Sequence, residues 1–425
     1  MLACRNGGRE SLTIRARILD PGQGLDGQGT VTVEHGIVIA VEEGPAAPAG
    51  LVLAPAFVDP HVHLRTPGRE DEETIASGTA AAAAGGYCAI VAMPNTDPVV
   101  DTAPVLQALL ERAREEALVP TGFTAAITKG QRGEELSEMA ELAAAGALAF
   151  TDDGRPVASA LIMRRALAYS AVADRPLALH CEEPALSRGG HMHEGAVSAE
   201  LGLGGWPSVA ETLMVERDLA LAAYEGRPVH LQHLSARGSV DAVRRARLSG
   251  VQVSAEASPH HLCATDEALR SLDPNLKMNP PLGTEDDRAA LVEGVLDGTI
   301  DCIATDHAPH AREEKDVPFE DAPFGVTGLE TAFAALHTFL VREGEVPLQV
   351  LLERMSAGPA RALGLPVPRI AVGAPANFVV LDLEAEWTVR EDGFRSRSAN
   401  SWLLGRTLTG AVVKTVADGR VVFGA

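Results

Sequence analysis

The stretch AFVDPHVHL, residues 56–64, is a short apolar run that ends in polar residues, and this pattern recurs along the chain. Its apolar residues are continuous rather than alternating, which indicates a strand buried on both faces. Seven further runs have the same character: YCAIVAMPN (87–95), GFTAAIT (122–128), ALAFTDD (147–153), PLALHCE (176–182), PVHLQHLS (228–235), VQVSAEASPHH (251–261) and DCIATDH (301–307). The sequence therefore predicts eight buried strands.

Segments rich in Ala, Leu, Glu and Arg separate these strands and have helical character. They cover residues 74–84, 103–116, 134–145, 158–172, 209–224, 239–248 and 287–296. Repeated strand–helix units predict an α/β protein built on a closed (β/α)8 barrel. An open, doubly wound sheet is the alternative. The first strand is not followed by the glycine-rich motif of dinucleotide-binding sheets, which favours the barrel.

The two ends of the chain differ from the barrel region. Residues 11–53 include SLTIRARILD and GTVTVEHGIVIAVEEG, and residues 370–425 include IAVGAPANFVVLDL and AVVKTVADGRVVFG. These are short strand-forming runs separated by turn residues, and neither end alone holds many of them. We therefore expect one small β-sandwich domain, composed of residues 1–53 and 366–425, beside a barrel of residues 54–365.

The composition limits the classes of partner. The chain has 425 residues and a formal net charge of −22. An acidic surface repels phosphate backbones and anionic lipid, so we expect neither nucleic acid nor a membrane as partner. A small anionic ligand is not excluded. The five cysteines form no CxxC motif and the N-terminus is too polar for a signal peptide, so we expect a reduced, cytoplasmic protein.

Histidines and an aspartate stand at the ends of several predicted strands. His61 and His63 end the first run, and residues two apart in a strand point to the same face. His180 and His233 end the fifth and sixth runs, and Asp306 ends the eighth. In a barrel these ends meet at one rim, where imidazoles and a carboxylate suit Zn²⁺. A hydrogen-bonded histidine pair without metal is the alternative for the first two alone.

The fourth run ends in Asp152 and Asp153, which could supply a bridge between two metal ions. No lysine occurs between Lys129 and Lys277, so a lysine bridge is not available on the fourth strand. Neighbouring residues of a strand face opposite sides, so only one of the two carboxylates is expected to bridge, and spacing does not choose between them. A surface turn is the alternative for this Asp-Asp-Gly sequence.

Three further residues could act on a substrate. Arg65 follows His63 on the same strand face, and its guanidinium can bind a carboxylate through two hydrogen bonds. Asn95, after the second strand, could add an amide contact. Asp306 could transfer the proton of a metal-bound hydroxide. The alternatives are a surface arginine, an asparagine in a turn, and a structural Asp–His pair.

The motifs AFVDPHVHLRTPGRED, FTDDGRPV, ALHCEE, HLQHLS and ATDHAPH together resemble the amidohydrolase superfamily, and more closely the longer bacterial form of the dihydroorotase family. The resemblance covers essentially the whole chain. It implies two zinc ions per subunit, bridged by Asp153 and a hydroxide. The ligands of one zinc would be His61, His63 and Asp306, and those of the other His180 and His233.

The resemblance also implies the reaction and the residues that bind the substrate. Asp306 would be the general acid and base. The substrate would be held by His63, Arg65, Asn95, Asn279, His310 and the backbone of Phe324 and Gly325. The implied reaction is the reversible cyclisation of N-carbamoyl-L-aspartate to (S)-dihydroorotate plus water, in the de novo synthesis of UMP. This small molecule is the expected partner, with a homodimer or a complex with aspartate transcarbamoylase as the expected assemblies.

Two other functions remain open at this point. One is another cyclic-amide hydrolase, such as a hydantoinase or an allantoinase; hydantoinases usually carry the lysine bridge that this chain lacks. The other is a non-catalytic, dihydroorotase-like scaffold for aspartate transcarbamoylase. Inactive relatives of that kind lose metal ligands, whereas this chain has a residue at every expected position.

Overall fold

The computed structural model describes residues 1–45, 48 and 50–424, and its two ends meet in one mixed sheet of seven strands. From edge to edge the strands are Arg420–Phe423, Thr407–Ala417, Phe378–Thr388, Leu51–Pro55, Leu12–Asp20, Leu25–Glu34 and Ile37–Glu43. The pair Leu12–Asp20 and Leu51–Pro55 is parallel, and the other pairs are antiparallel. Alternate side chains such as Val31 and Val33 pack into a separate hydrophobic cluster with Phe378.

The central region forms a ring of parallel strands. Three strands pair on one side, Phe57–Val62, Tyr87–Ala92 and Thr121–Phe123, and four on the other, Leu177–Leu179, Val229–Leu231, Val253–Ala257 and Cys302–Ile303. Single parallel bridges join the two groups at both seams. Phe150 pairs with Ala125 and Leu177, and His307 pairs with Val62.

The fourth predicted strand is therefore a single paired residue, Phe150, rather than a longer element. Its backbone N–H donates to Pro176, and its carbonyl accepts from Ala178. The ring is thus continuous through eight positions. The predicted (β/α)8 barrel with a small β-sandwich domain built from both termini is confirmed, and the terminal strands join in one mixed sheet. The division at residues 53/54 and 365/366 stays a prediction.

Helices surround the barrel at nearly the predicted positions. The fourteen α-helices of the described residues are Ile75–Ala84, Ala103–Glu116, Met139–Ala145, Ala160–Ala173, Pro184–Ser187, Ala196–Leu201, Val209–Glu225, Arg237–Leu248, Pro259–Cys263, Glu285–Asp297, Arg312–Lys315, Ala332–Leu336, Leu348–Met355 and Ala357–Ala362. The first begins at a capping box formed by Thr74 and Ser77. Among the described residues, no helix has both the length and the apolar composition that a membrane crossing requires.

Short elements complete the chain between the barrel strands and in the terminal domain. Turns of 3-10 helix cover Pro21–Gln23, Lys129–Gln131, Asp266–Ser271, Pro274–Leu276 and Glu391–Gly393, and a π-helical turn covers His337–Val341. Two-residue strands pair at Met192–His193 and Gly205–Trp206. After Phe378–Thr388 the chain leaves the terminal sheet, and Ser396, Ser398 and Asn400 are buried before it returns.

Candidate active site

The first barrel strand presents two imidazoles to the carboxyl end of the barrel. His61 and His63 face the same side, with ring centroids 5.4 Å apart. Their Nε2 atoms lie 3.5 and 3.1 Å from one carboxylate oxygen of Asp306, which follows the eighth strand. Asp59 links these two strands, since its carboxylate accepts hydrogen bonds from Thr305 and from the backbone N–H of His61. The first and eighth strands are therefore held in register at the site.

Asp153 lies at the centre of the histidine cluster. Its Oδ1 atom is 3.5 Å from nitrogen atoms of His61, His180 and His233, and its Oδ2 atom is 3.5 Å from Nε2 of His63. Burial raises the pKa of Asp153, but the surrounding histidines outweigh burial and hold it well below its usual range. This carboxylate therefore lies close to histidine side chains from three other strands.

Asp152 points away from the cluster. Its carboxylate accepts hydrogen bonds from the backbone N–H groups of Ile127 and Thr128, at 2.8 and 3.1 Å. Neighbouring side chains on an extended backbone face opposite sides, which explains the separation of the two acids. The structure thus separates the pair that spacing alone left undecided: Asp153 faces the site and Asp152 supports the preceding loop.

The donor atoms of this cluster fit a metal ion. The Nε2 atom of His61 is fully buried, and no described residue forms a hydrogen bond with it. An orphaned buried nitrogen is costly unless another ligand is present. The cluster contains two sets of three residues, and within each set the donor atoms lie within 4.8 Å of one another. The sets are His61, His63 and Asp306, and His61, Asp153 and His233. Imidazole and carboxylate donors at this spacing suit a borderline metal such as Zn²⁺.

Glu256 orients His61, a contact that sequence reasoning missed. Its Oε1 atom is 2.7 Å from Nδ1 of His61, and its Oε2 atom is 2.9 Å from Nε2 of His230. The Nδ1–H of His61 therefore donates to Glu256, which turns the lone pair of Nε2 toward the cluster. A glutamate inside the otherwise apolar run VQVSAEA is the signal that could have revealed it.

His230 lies beneath the cluster and forms hydrogen bonds with Glu256 and Ser254. His180 has a similar partner on its other nitrogen. The Nε2 atom of His180 is 3.0 Å from the carboxylate of Glu182, and its Nδ1 atom is 2.9 Å from Nε2 of His233. In both His61 and His180, the ring nitrogen that points away from Asp153 thus lies next to a carboxylate.

Arg65 and Asn95 stand beside the cluster. The Nε atom of Arg65 lies 3.1 Å from the carboxylate of Glu72, and it donates to the carbonyl of Pro309. Asn95 donates to Asp153 at 3.3 Å, and its Oδ1 atom lies 2.9 Å from Nδ1 of His63. The side chain of Arg65 is 11% exposed, and its guanidinium is thus placed next to the histidines.

Three residues of the rim have a left-handed backbone, which is uncommon outside glycine. The φ angles are 54° for Arg65, 30° for His233 and 48° for Asp306. Each residue follows the end of a barrel strand, where the chain must turn sharply to aim a side chain inward. Local strain of this kind concentrates at functional sites.

The opposite wall comes from two loops after the seventh and eighth strands. His310 lies 2.8 Å from the carbonyl oxygen of Phe324, through its Nε2 atom. Gly325 donates its N–H to the carbonyl of Lys277 at 2.8 Å. A Cβ at Gly325, where φ is 122°, would lie 2.8 Å from Cβ of Ala308, so only glycine fits. The Oδ1 atom of Asn279 is buried and forms no hydrogen bond with a described residue.

One cavity of about 120 Å³ unites these groups. It is lined by His63, Arg65, Asn95, Asp153, Gly154, His180, His233, Asn279, Asp306, Ala308, Phe324 and Gly325. His61 lies beneath it and His310 behind Arg65 and Phe324. The structure therefore brings all of the predicted site residues together. Their individual roles stay predictions.

Comparisons with known proteins give the family of this chain. A sequence model of the family described as "Dihydro-orotase-like" matches residues 50–239. The chain is 44% identical over 416 residues to a protein of Syntrophus aciditrophicus named dihydroorotase, covering 96% of this chain and 97% of that protein. It is 46% identical to the dihydroorotase of Anaeromyxobacter dehalogenans, covering 96% of each.

Solved structures show the same fold at lower identity. The L-hydantoinase (dihydropyrimidinase) from Arthrobacter aurescens is similar with a TM-score of 0.84 and 24% identity, covering 96% of this chain and 94% of that one. The dihydropyrimidinase from Brevibacillus agri is similar with a TM-score of 0.81 and 21% identity, covering 99% and 95%. The barrel with its β domain is thus the fold of cyclic-amide hydrolases, and by its near full-length identity to curated relatives this chain belongs to the dihydroorotase family of the amidohydrolase superfamily.

Proposed function

We propose that this protein is a dihydroorotase, which interconverts N-carbamoyl-L-aspartate and (S)-dihydroorotate plus water in the synthesis of UMP. The family membership makes it a hydrolase of cyclic amides that acts on a small molecule. One observation carries the choice of substrate. The guanidinium of Arg65 shares a single cavity with the cluster of histidines and aspartates, so an anionic ring could meet both.

The metal centre is part of this proposal. Two zinc ions per subunit would be held by His61, His63 and Asp306 and by His180 and His233, with Asp153 between them. The orphaned Nε2 atom of His61 and the central place of Asp153 support this arrangement. When bound, such a pair supplies Lewis-acid polarisation of a carbonyl group and lowers the pKa of water.

Asp306 is the proton carrier in the proposed reaction. Its carboxylate lines the cavity, and the neighbouring histidines outweigh burial and lower its pKa. An ionised carboxylate can accept a proton from the attacking water. In the hydrolytic direction, Asp306 then passes this proton to the ring nitrogen that leaves. The reverse transfer serves cyclisation.

Arg65 and Asn95 bind the substrate carboxylate in the proposed complex, and the opposite wall holds the ring. The paired N–H groups of a guanidinium match a carboxylate better than a point charge does. Asn279 contributes an unpaired buried oxygen, and Phe324 and Gly325 contribute backbone groups. Although the chain has a net charge of −22, this cavity thus holds a guanidinium that an anion could meet.

Turnover of defined substrates by the purified, zinc-loaded protein tests the proposal. We expect hydrolysis of dihydroorotate and cyclisation of N-carbamoyl-L-aspartate, together with about two zinc ions per subunit by elemental analysis. Turnover of hydantoin or allantoin without turnover of dihydroorotate would replace the proposed substrate. Absence of all turnover in a protein that lacks bound zinc and does not respond to added zinc would support the scaffold role.

The assembly and the location are further proposals. We infer a homodimer or a complex with aspartate transcarbamoylase, because exposed apolar side chains lie on three neighbouring helices near the rim: Leu161, Leu186, Val209 and Leu213. Light scattering of the chain alone and with the transcarbamoylase would measure both. A cytoplasmic location is supported by the five cysteines, all of which are free thiols.

A further inference from the structure

A short segment of the terminal β domain lies against the rim of the barrel. The chain leaves the terminal sheet after Thr388 and returns to it at Thr407. Between these strands, the Oγ of Ser398 donates to the carbonyl of Glu72 at 2.7 Å, and the N–H of Arg397 donates to the carboxylate of Glu73 at 3.1 Å. This segment is thus anchored to the loop that follows the first barrel strand.

Asn400, at the end of the segment, binds three backbone groups of the cavity wall. Its Nδ2 atom donates to the carbonyls of Ala308 and Gly325, at 3.2 Å each. Its Oδ1 atom accepts the N–H of His310 at 3.1 Å. Its own carbonyl accepts the N–H of Thr327 at 3.0 Å. Only 5% of the residue is exposed.

These bonds join two loops that carry separate parts of the site. Ala308 and His310 follow Asp306 on the first loop, and Gly325 follows Phe324 on the second. The two loops also contact each other directly: the N–H of Ala308 donates to Val326, and Nε2 of His310 lies 2.8 Å from the carbonyl of Phe324. The side chain of Asn400 adds a further link, because one amide binds both the N–H of His310 and the carbonyl of Gly325, and it thus helps to fix their spacing.

We propose that Asn400 is a positioning residue of the active site, through which the terminal β domain holds the wall that receives the substrate ring. This inference rests on the proposed dihydroorotase function. Asn400 touches no reacting atom in this role. It acts through His310 and Gly325, whose separation must match the width of a six-membered ring and its carboxylate.

The chemistry of the amide explains why asparagine stands here. The three backbone groups require two donors and one acceptor on a short, planar side chain, and an asparagine amide provides them. An aspartate of the same shape would direct a carboxylate oxygen at two carbonyl oxygens. It would keep only the hydrogen bond from the N–H of His310. Asn400→Asp thus changes the bonding with almost no change in volume.

Steady-state kinetics of the zinc-loaded, full-length variants test the inference. We expect Asn400→Asp and Asn400→Ala to raise KM for dihydroorotate about 10- to 100-fold, with a smaller fall in kcat. Zinc content and far-UV circular dichroism should equal those of the wild type. Asn377→Asp is the matched control, because Asn377 accepts the N–H of Asp418 at 2.7 Å within the terminal domain. It should leave KM unchanged.

Hydrogen exchange provides a second readout that does not depend on turnover. In Asn400→Ala the N–H of His310 loses its acceptor, so exchange should accelerate in the peptide around residues 307–311. Asn400→Asp keeps this acceptor and should protect that amide. Barrel strand peptides should exchange as in the wild type in both variants.

Two results would overturn the inference alone. An active wild type whose KM is matched by both variants would remove the positioning role and leave the proposed function intact. A fall in kcat that tracks loss of zinc or of folded protein would assign Asn400 a purely structural role. A zinc-loaded wild type that does not turn over dihydroorotate would instead overturn the proposed function, and the inference with it.

Discussion

Replacement of Glu256 by glutamine tests how the structure prepares its candidate metal centre. The carboxylate of Glu256 is 2.7 Å from Nδ1 of His61 and 2.9 Å from Nε2 of His230, and none of the residue is exposed. Glutamine has nearly the same volume, but it offers an NH2 group, which donates, and one accepting oxygen instead of two accepting oxygens. If its NH2 group faces His61, the ring must carry its proton on Nε2. If its oxygen faces His61, the NH2 group lies next to Nε2 of His230, which must then accept a hydrogen bond.

Either arrangement weakens the binding of a metal by His61. Loss of one charge-assisted hydrogen bond costs about 1.5–3 kcal/mol. The corresponding change in metal affinity is about 10- to 100-fold, in line with the usual effect of replacing a carboxylate behind a metal-binding histidine. We therefore expect Glu256→Gln to bind zinc about 10- to 100-fold more weakly while the fold is retained.

Competition with a chromophoric chelator measures this affinity in metal-free protein, and elemental analysis gives the zinc retained after dialysis. Asp20→Asn is the matched control. Asp20 is another buried carboxylate, but it accepts backbone N–H groups of Gln23 and Ile370 in the terminal domain. Zinc affinity in Glu256→Gln equal to that of the wild type and of Asp20→Asn would refute the role given to Glu256.

Three further predictions concern Asp306 and Arg65 in the site and Asp218 on the helix Val209–Glu225. Asp306→Asn should lower kcat about 100- to 10,000-fold with unchanged circular dichroism, because the proton carrier is lost; near-normal turnover would contradict this. Arg65→Met should raise KM for dihydroorotate about 10- to 100-fold with a smaller effect on kcat, and an unchanged KM would exclude the carboxylate contact. Burial raises the pKa of Asp218 to about 6, although Arg217 opposes the shift. The folded state therefore binds this proton more tightly than the unfolded state, and stability should fall as the pH rises from about 4 to about 6. Urea unfolding should show that Asp218→Asn lacks this loss; parallel pH profiles of the two proteins would contradict the assignment.

The barrel could be predicted because its strands are buried on both faces. Such strands are continuous apolar runs, and the ends of the first and second runs lie within three residues of the ends of Phe57–Val62 and Tyr87–Ala92. The fourth run was less well predicted. Only Phe150 pairs with its neighbours there, because pairing in a ring depends on residues distant in sequence. An apolar pattern predicts burial, but it does not predict how many backbone groups form hydrogen bonds with neighbouring strands.

The candidate site was predictable where local periodicity controls it. His61 and His63 face one side because residues two apart in a strand do so, and the ends of parallel strands converge in any barrel. The choice between Asp152 and Asp153 was beyond this reasoning. Periodicity predicts that the two carboxylates point to opposite sides. Which side faces the interior of the barrel is decided only when the ring of strands closes.

The sequence by itself determined the residue types of the site and the strand ends that carry them, because these depend on local geometry. Only the tertiary structure decided which groups support them. Glu256 reaches His61 across 195 positions of the chain, and Asn400 reaches His310 from the terminal domain across 90. Such contacts leave no period in the sequence, since a hydrogen bond requires proximity in space and places no condition on separation along the chain.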